Sequence, residues 1–178
     1  FDSTDASSCD DLTTNGGLEI GDARYWDTFG SEKEMVLVPG AGGAGDLAIK
    51  MLGRTSTHHS PMQTLKRGCM KSGERYIAEV KFKMTDSGGN AVSCVPQTEE
   101  SYKHRTGIKC PEIRAHHEGN GIWGYMTMGN VVLPTRSEGW NVAKGAFYAL
   151  DNQINAHRLR AWLEDEPTTY DITMDDFH

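Results

Sequence analysis

Glu74-Arg75-Tyr76-Ile77-Ala78-Glu79-Val80-Lys81-Phe82-Lys83-Met84 is the stretch that decides the fold. Tyr76, Ala78, Val80, Phe82 and Met84 fall on one face of an extended chain, with Arg75, Glu79, Lys81 and Lys83 on the other. Alternation with period two marks a strand that has one face buried and one in water. The pattern recurs outward from this segment. Leu47, Ile49 and Met51 share a face; Leu159, Ala161 and Leu163 alternate with Arg158, Arg160 and Glu164; Tyr170, Ile172 and Met174 alternate with Asp171, Thr173 and Asp175. Trp140, Val142 and Phe147 lie in a further segment interrupted by Gly145, which predicts a bulge there. Glycines such as Gly30, Gly40, Gly73 and Gly88-Gly89 punctuate the segments, and only Asp151–His157 suits a short turn of helix. Half-buried strands at short spacing between glycine turns predict an all-β, antiparallel sandwich or barrel.

At 178 residues, with 37% hydrophobic and 24% charged residues, the chain suits one globular domain. A net charge of −7 without a lysine or arginine cluster argues against binding a nucleic-acid backbone. No apolar run approaches the roughly 18 residues of a membrane span, so membrane insertion is not expected. Phe1 opens the chain without a basic-then-apolar leader, as expected after signal-peptide removal or for a piece of a longer protein; the ending at Asp176-Phe177-His178 favours the second. Cys9, Cys69, Cys94 and Cys110 have no C-x-x-C spacing, so two disulfides in a secreted, extracellular protein are expected. Three pairings are possible. Cys9–Cys69 with Cys94–Cys110 is the expected one, tying residues 1–14, a loosely ordered leader, to the body and closing a polar loop.

Three stretches carry a family resemblance. Asn15-Gly16-Gly17-Leu18-Glu19 is followed by Tyr25-Trp26 and Phe29-Gly30; Gly45-Asp46-Leu47-Ala48-Ile49-Lys50 runs into Gly53-Arg54-Thr55, Ser60-Pro61 and Gln63; and Tyr170 to Phe177 closes the chain. In this order they resemble carbohydrate-binding modules of families four, nine and twenty-two, over roughly residues 15–177, with the Gly-Arg-Thr…Pro stretch most similar to the xylan-binding family twenty-two. The resemblance implies a jelly-roll β-sandwich over 15–178, of galactose-binding-like type, that binds polysaccharide without catalysis. It also implies a structural calcium ion, with Glu19 and Asp176 as side-chain ligands, Asp175 a less certain neighbour and backbone oxygens of the Gly40–Asp46 loop completing the shell. Trp26 and Trp140 match the family's core-filling tryptophans.

Sugar recognition needs flat aromatic faces and a few placed polar groups in a cleft. Trp123 and Tyr125 alternate with Ile122, Gly124, Met126 and Met128, so one face of that strand offers aromatics and the other core. Arg54 stands at the family's Gly-Arg-Thr position and offers a fork of donors. Shortly after it, where family-twenty-two modules commonly carry an aromatic residue, this chain has His58-His59, and an imidazole presents a smaller stacking face. Arg54, His58, Trp123 and Tyr125 are therefore the expected carbohydrate-binding residues, and a polysaccharide or oligosaccharide the expected partner of a monomer. The adjacent pairs His58-His59 and His116-His117 lack the spacing of transition-metal ligands and are expected in solvated loops. The glycine-rich Gly40–Gly45 run lacks the lysine of a phosphate-binding loop. Nothing points to an enzyme within these residues. The alternative is a calcium-stabilised extracellular structural or adhesion module without a sugar cleft, to be distinguished by whether Trp123, Tyr125, Arg54 and His58 share one face.

Overall fold

The computed structural model describes residues 9–29, 34–96, 107–131, 139–164 and 167–178. The expected turn at Gly30, and the leader as far as residue 8, lie outside the described residues. The strands are β1 Trp26–Thr28, β2 Met35–Pro39, β3 Leu47–Met51, β4 Pro61–Thr64, β5 Arg75–Thr85, β6 Ala91–Val92, β7 Glu112–Gly119, β8 Ile122–Asn130, β9 Asn141–Tyr148, β10 Arg158–Glu164 and β11 Asp171–Asp175. A short helix, α1 (Asp151–Ile154), occupies the segment expected to form one helical turn.

The strands pair in the order β1-β4-β10-β7-β8-β9-β5-β11-β3-β2, with β6 on β5. The order divides at β8 and β9, joined by the single antiparallel pair Asn130–Lys144. We call β1-β4-β10-β7-β8 the front sheet and β9-β5-β11-β3-β2 the back sheet. Ile113, Ala115, Leu159 and Leu163 from the front meet Val80, Phe82, Ile172 and Met174 from the back in one buried cluster. This is the jelly-roll β-sandwich, and the alternating segments supply its inner faces.

Two glycines shape the seam between the sheets. A Cβ on Gly145 would stand 2.4 Å from both Gly129 Cα and Met128 O, so the backbones of β8 and β9 approach too closely for any side chain. The expected bulge is not at Gly145: β9 keeps unbroken register with β5 through Ala78–Gly145. The irregularity lies in the β7–β8 pairing, between Ile113 and Arg114. Parity also corrects Trp140. Asn141, Ala143 and Phe147 face the core, which turns Trp140 and Val142 outward. Trp140 is only half-buried, with the Lys83 ammonium 4.9 Å from its ring centroid. Trp26 is buried as expected, its indole N–H donating to Asn15 O at 2.9 Å.

Both expected disulfides are formed, Cys9–Cys69 and Cys94–Cys110. Residues 9–14 are held by more than the cysteine. Lys66 N donates to Leu12 O at 2.8 Å, and the buried Thr13 hydroxyl donates to Phe177 O at 2.8 Å. Phe177 N in turn donates to Gly16 O at 3.1 Å, so the two ends of the domain close on each other.

Candidate functional site

The outer face of the front sheet gathers the chemistry. Strand register sets its side chains in rows across β10, β7 and β8: Arg158–Glu118–Trp123, then Arg160–His116–Tyr125, then Trp162–Arg114–Thr127, then Glu164–Glu112–Asn130. On β4, Thr64 pairs with Arg160 and Met62 with Trp162, and Asp27 of β1 continues that last row. Rows on one face repeat every second residue, about 7 Å apart, so the first and fourth are separated by roughly 20 Å. That length suits an extended chain molecule.

The first two rows form an aromatic corner. Trp123 is 68% exposed and Tyr125 46% exposed, with ring centroids 5.0 Å apart and planes at 85°. His116 is buried beneath, stacked on Tyr125 at 4.6 Å and 21°. With planes close to perpendicular, the two rings form a corner that offers flat apolar surface in two directions. His116 Nδ1 lies 3.4 Å from Arg160 Nη2. A neutral His116 accepts there and carries its proton on Nε2, and burial, which holds its pKa below the usual value, favours that form. Nε2 is buried without a hydrogen-bond partner, as are the Nε atoms of Arg114 and Arg160.

The far rows are built on Trp162, wholly buried on this face. Phe29 stacks on it at 4.5 Å and 18°, and its indole N–H donates to Glu164 Oε2 at 3.0 Å. His58 reaches in from the β3–β4 connection, Nδ1 3.0 Å from Glu164 Oε1, with its side chain about half exposed. Arg114 Nη1 donates to Thr127 Oγ1 at 2.6 Å and lies 3.7 Å from Glu112. Glu118 accepts from Arg160 Nη2 at 2.7 Å. Each of the three glutamates on the face is thus tied to a neighbour, which holds the polar groups at fixed spacing.

Three of the four expected sugar-binding residues, Trp123, Tyr125 and His58, stand on this face. Arg54 does not present its guanidinium there. It is buried, with Nε donating to His59 O at 2.5 Å and Nη1 to Pro167 O and Tyr170 O at 3.2 and 3.0 Å. Its fork pins the loop that carries His58 to the start of β11. His116 and His117 lie buried within β7, not in a solvated loop. His117 faces the core, where Gly124 makes room for it: a Cβ there would stand 2.8 Å from the imidazole. His116, Glu118, Arg160 and Glu164 were missed as site residues. Their alternation is present in the sequence, but only the β10-β7-β8 pairing places them beside Trp123 and Tyr125.

The expected calcium residues lie where the chain ends meet. Glu19 Oε1 and Asp176 Oδ1 flank Gly17, at 2.9 and 3.0 Å from where its Cβ would stand. Asp176, at φ 47°, also pairs with Lys81. Asp175 points the other way and is buried, accepting from Ala41 N at 2.7 Å. The Gly40–Asp46 loop therefore turns an amide, not a carbonyl, toward Asp175. Among the described residues no three His, Cys, Asp or Glu side chains are gathered to hold one ion.

No protein-family model and no curated protein matches the sequence. Solved structures do match the fold. The second family-22 xylan-binding domain from a Paenibacillus barcinonensis protein aligns with a TM-score of 0.64 at 14% identity, over 96% of this chain and 98% of that one. The C-terminal family-22 carbohydrate-binding module of a Clostridium thermocellum protein aligns at 0.67 and 12% identity, over 96% and 94%. This chain has their fold. A family-22 module joined to a glycoside hydrolase module in a C. thermocellum endo-1,4-β-D-xylanase, solved with xylohexaose, gives 0.66 at 14% identity, and this chain spans 28% of its length.

Proposed function

We propose that this domain binds a polysaccharide of the xylan type, without catalysis, along the outer face of the front sheet. The observation that carries the reading is the exposed Trp123–Tyr125 corner, in register with the polar rows of β7 and β10 on one sheet face. Two exposed aromatics meeting at one corner and rimmed by polar groups mark an interaction surface, unlike apolar side chains exposed singly. The fixed guanidinium, carboxylate and imidazole groups beside them suit paired sugar hydroxyls. The fold shared with xylan-binding modules supports the choice of polymer. Binding without turnover is supported by the fold shared with carbohydrate-binding modules. Two disulfides support an extracellular setting; no helix among the described residues is long and apolar enough to cross a membrane. The test is a titration with xylohexaose followed by two-dimensional NMR. The Trp123 indole and the amides of β7, β8 and β10 are expected to shift, while the back sheet stays still. Shifts confined to the back sheet, or none, overturn the reading.

A calcium ion at the chain ends is the second element of the proposal. Glu19 and Asp176 supply carboxylate oxygens across Gly17, the hard donors calcium takes, and backbone carbonyls would complete its shell. Bound there, the ion would stabilise the closure of the N- and C-terminal segments, in competition with Lys81 for Asp176. A chelator is expected to lower the melting temperature and added calcium to restore it. An unchanged melting temperature contradicts the site.

A further inference from the structure

The outer face of the front sheet is electrically lopsided. At its first end, Arg158 and Arg160 face one carboxylate, Glu118; His116 beside them is held neutral by burial. At the other end, Arg114 faces Glu112 and Glu164, with Asp27 and His58 nearby. Among the described residues, one cation is thus in excess where the aromatics are exposed, and at least one anion where they are covered.

The excess sits on Arg158. Arg160 holds Glu118 Oε1 at 2.7 Å, whereas Arg158 Nη1 stands 3.8 Å from that same oxygen with its side chain 59% exposed. A long, exposed pair of this kind is worth little, so the Arg158 fork remains open to a better acceptor. Arg158, Glu118 and Trp123 occupy one row of three strands, which puts the backbones of Arg158 and Trp123 about 10 Å apart. A sugar ring stacked on Trp123 would lie over Glu118, whose carboxylate Arg160 already holds, with a carboxylate on the ring within reach of the Arg158 guanidinium. Planar carboxylate against planar guanidinium forms two parallel hydrogen bonds, a geometry neutral hydroxyls do not match.

We propose that the Trp123–Arg158 end of the cleft binds a uronic acid residue of the polysaccharide, with Trp123 taking the ring and Arg158 the carboxylate. The inference rests on polysaccharide binding at this face and adds the substrate class: an acidic, uronate-bearing polymer over its neutral equivalent.

The test compares glucuronoxylan with the same polymer after chemical reduction of its carboxyl groups, by isothermal titration at low salt with the intact protein. Wild type is expected to bind the acidic polymer about 10-fold more tightly than the reduced one, the low end for a hydrogen bond to a charged group. Arg158→Gln, at an exposed strand start, is expected to bring the ratio of the two affinities to about one, whatever it does to binding of the reduced polymer. Equal wild-type affinities for the two polymers overturn the inference while leaving polysaccharide binding intact. A preference that survives in Arg158→Gln overturns the assignment to Arg158. Binding to neither polymer contradicts the underlying reading, and the uronate site with it.

Discussion

Replacing Trp123 with alanine separates binding from folding, and the size of the effect follows from exposure. A tryptophan offers about 250 Å² of surface, and Trp123 leaves 68% of its own in water, roughly 170 Å² on that basis. A sugar stacked on one ring face covers about half of this, and ~85 Å² at ~25 cal/mol/Å² corresponds to about 2 kcal/mol. Ordering the sugar offsets part of the gain, leaving about 1–2 kcal/mol, or a roughly 5- to 30-fold loss of affinity in Trp123→Ala. Stability should fall by no more than about 2 kcal/mol and leave the protein folded. An exposed residue contributes within about 0.5 kcal/mol, to which loss of the edge contact with Tyr125 adds at most about 1.5 kcal/mol. Isothermal titration with xylan oligosaccharides, run beside urea denaturation, measures both quantities. A folded Trp123→Ala protein that binds like wild type would refute the placement of the cleft at this corner.

Other consequences concern the scaffold. Replacing Cys9 and Cys69 by alanine is expected to cost about 4 kcal/mol and Cys94 with Cys110 about 3 kcal/mol, from sequence separations of 60 and 16; equal losses by urea denaturation would contradict the loop-closure account. Gly145→Ala is expected to destabilise by about 1–3 kcal/mol, because backbone on both sides blocks the new methyl. Gly139→Ala, with nothing among the described residues within 4 Å, should change little, and matching losses in the two variants would show the seam to be looser than described. Burial lowers the pKa of both His116 and His117. The unfolded chain then takes protons first as pH falls, so their stabilising contribution is complete above about pH 6.5 and is lost as pH drops toward their folded values. His117→Gln should flatten the decline in urea midpoint between pH 7 and 5; an unchanged slope would remove His117 from the account.

The fold was legible because parity sets the core face of its longest strand. Tyr76 to Met84 alternate in the sequence as their burial does in β5, and Leu159, Ala161 and Leu163 keep the core face of β10 although Trp162 and Glu164 are buried on the other. Parity was misread where a polar residue faces inward. Asn141 takes the core side of β9, so Trp140 and Val142, apolar in type, point outward. β7 was passed over for a similar reason. Its core face ends in His117 and its outer face carries His116, so in the run Glu112–Gly119 only Ile113 and Ala115 mark an apolar face. The aromatic half of the candidate site could be found from β8 alone. Its polar half required knowing that β10 lies beside β7 and β7 beside β8, an adjacency made by long-range pairing. Arg54 shows the limit of motif position. Its family location suggested a sugar contact, whereas its donors serve the carbonyls of the loops around it.

Affinity electrophoresis of the folded protein through gels containing xylan, mixed-linkage glucan, β-1,3-glucan, mannan or chitin tests the central claim most directly. The account predicts marked retardation in xylan, lost in Trp123→Ala and preserved in Trp140→Ala. Free migration of the wild-type protein in every gel would contradict polysaccharide binding and leave the calcium-stabilised adhesion module as the better description of this sandwich.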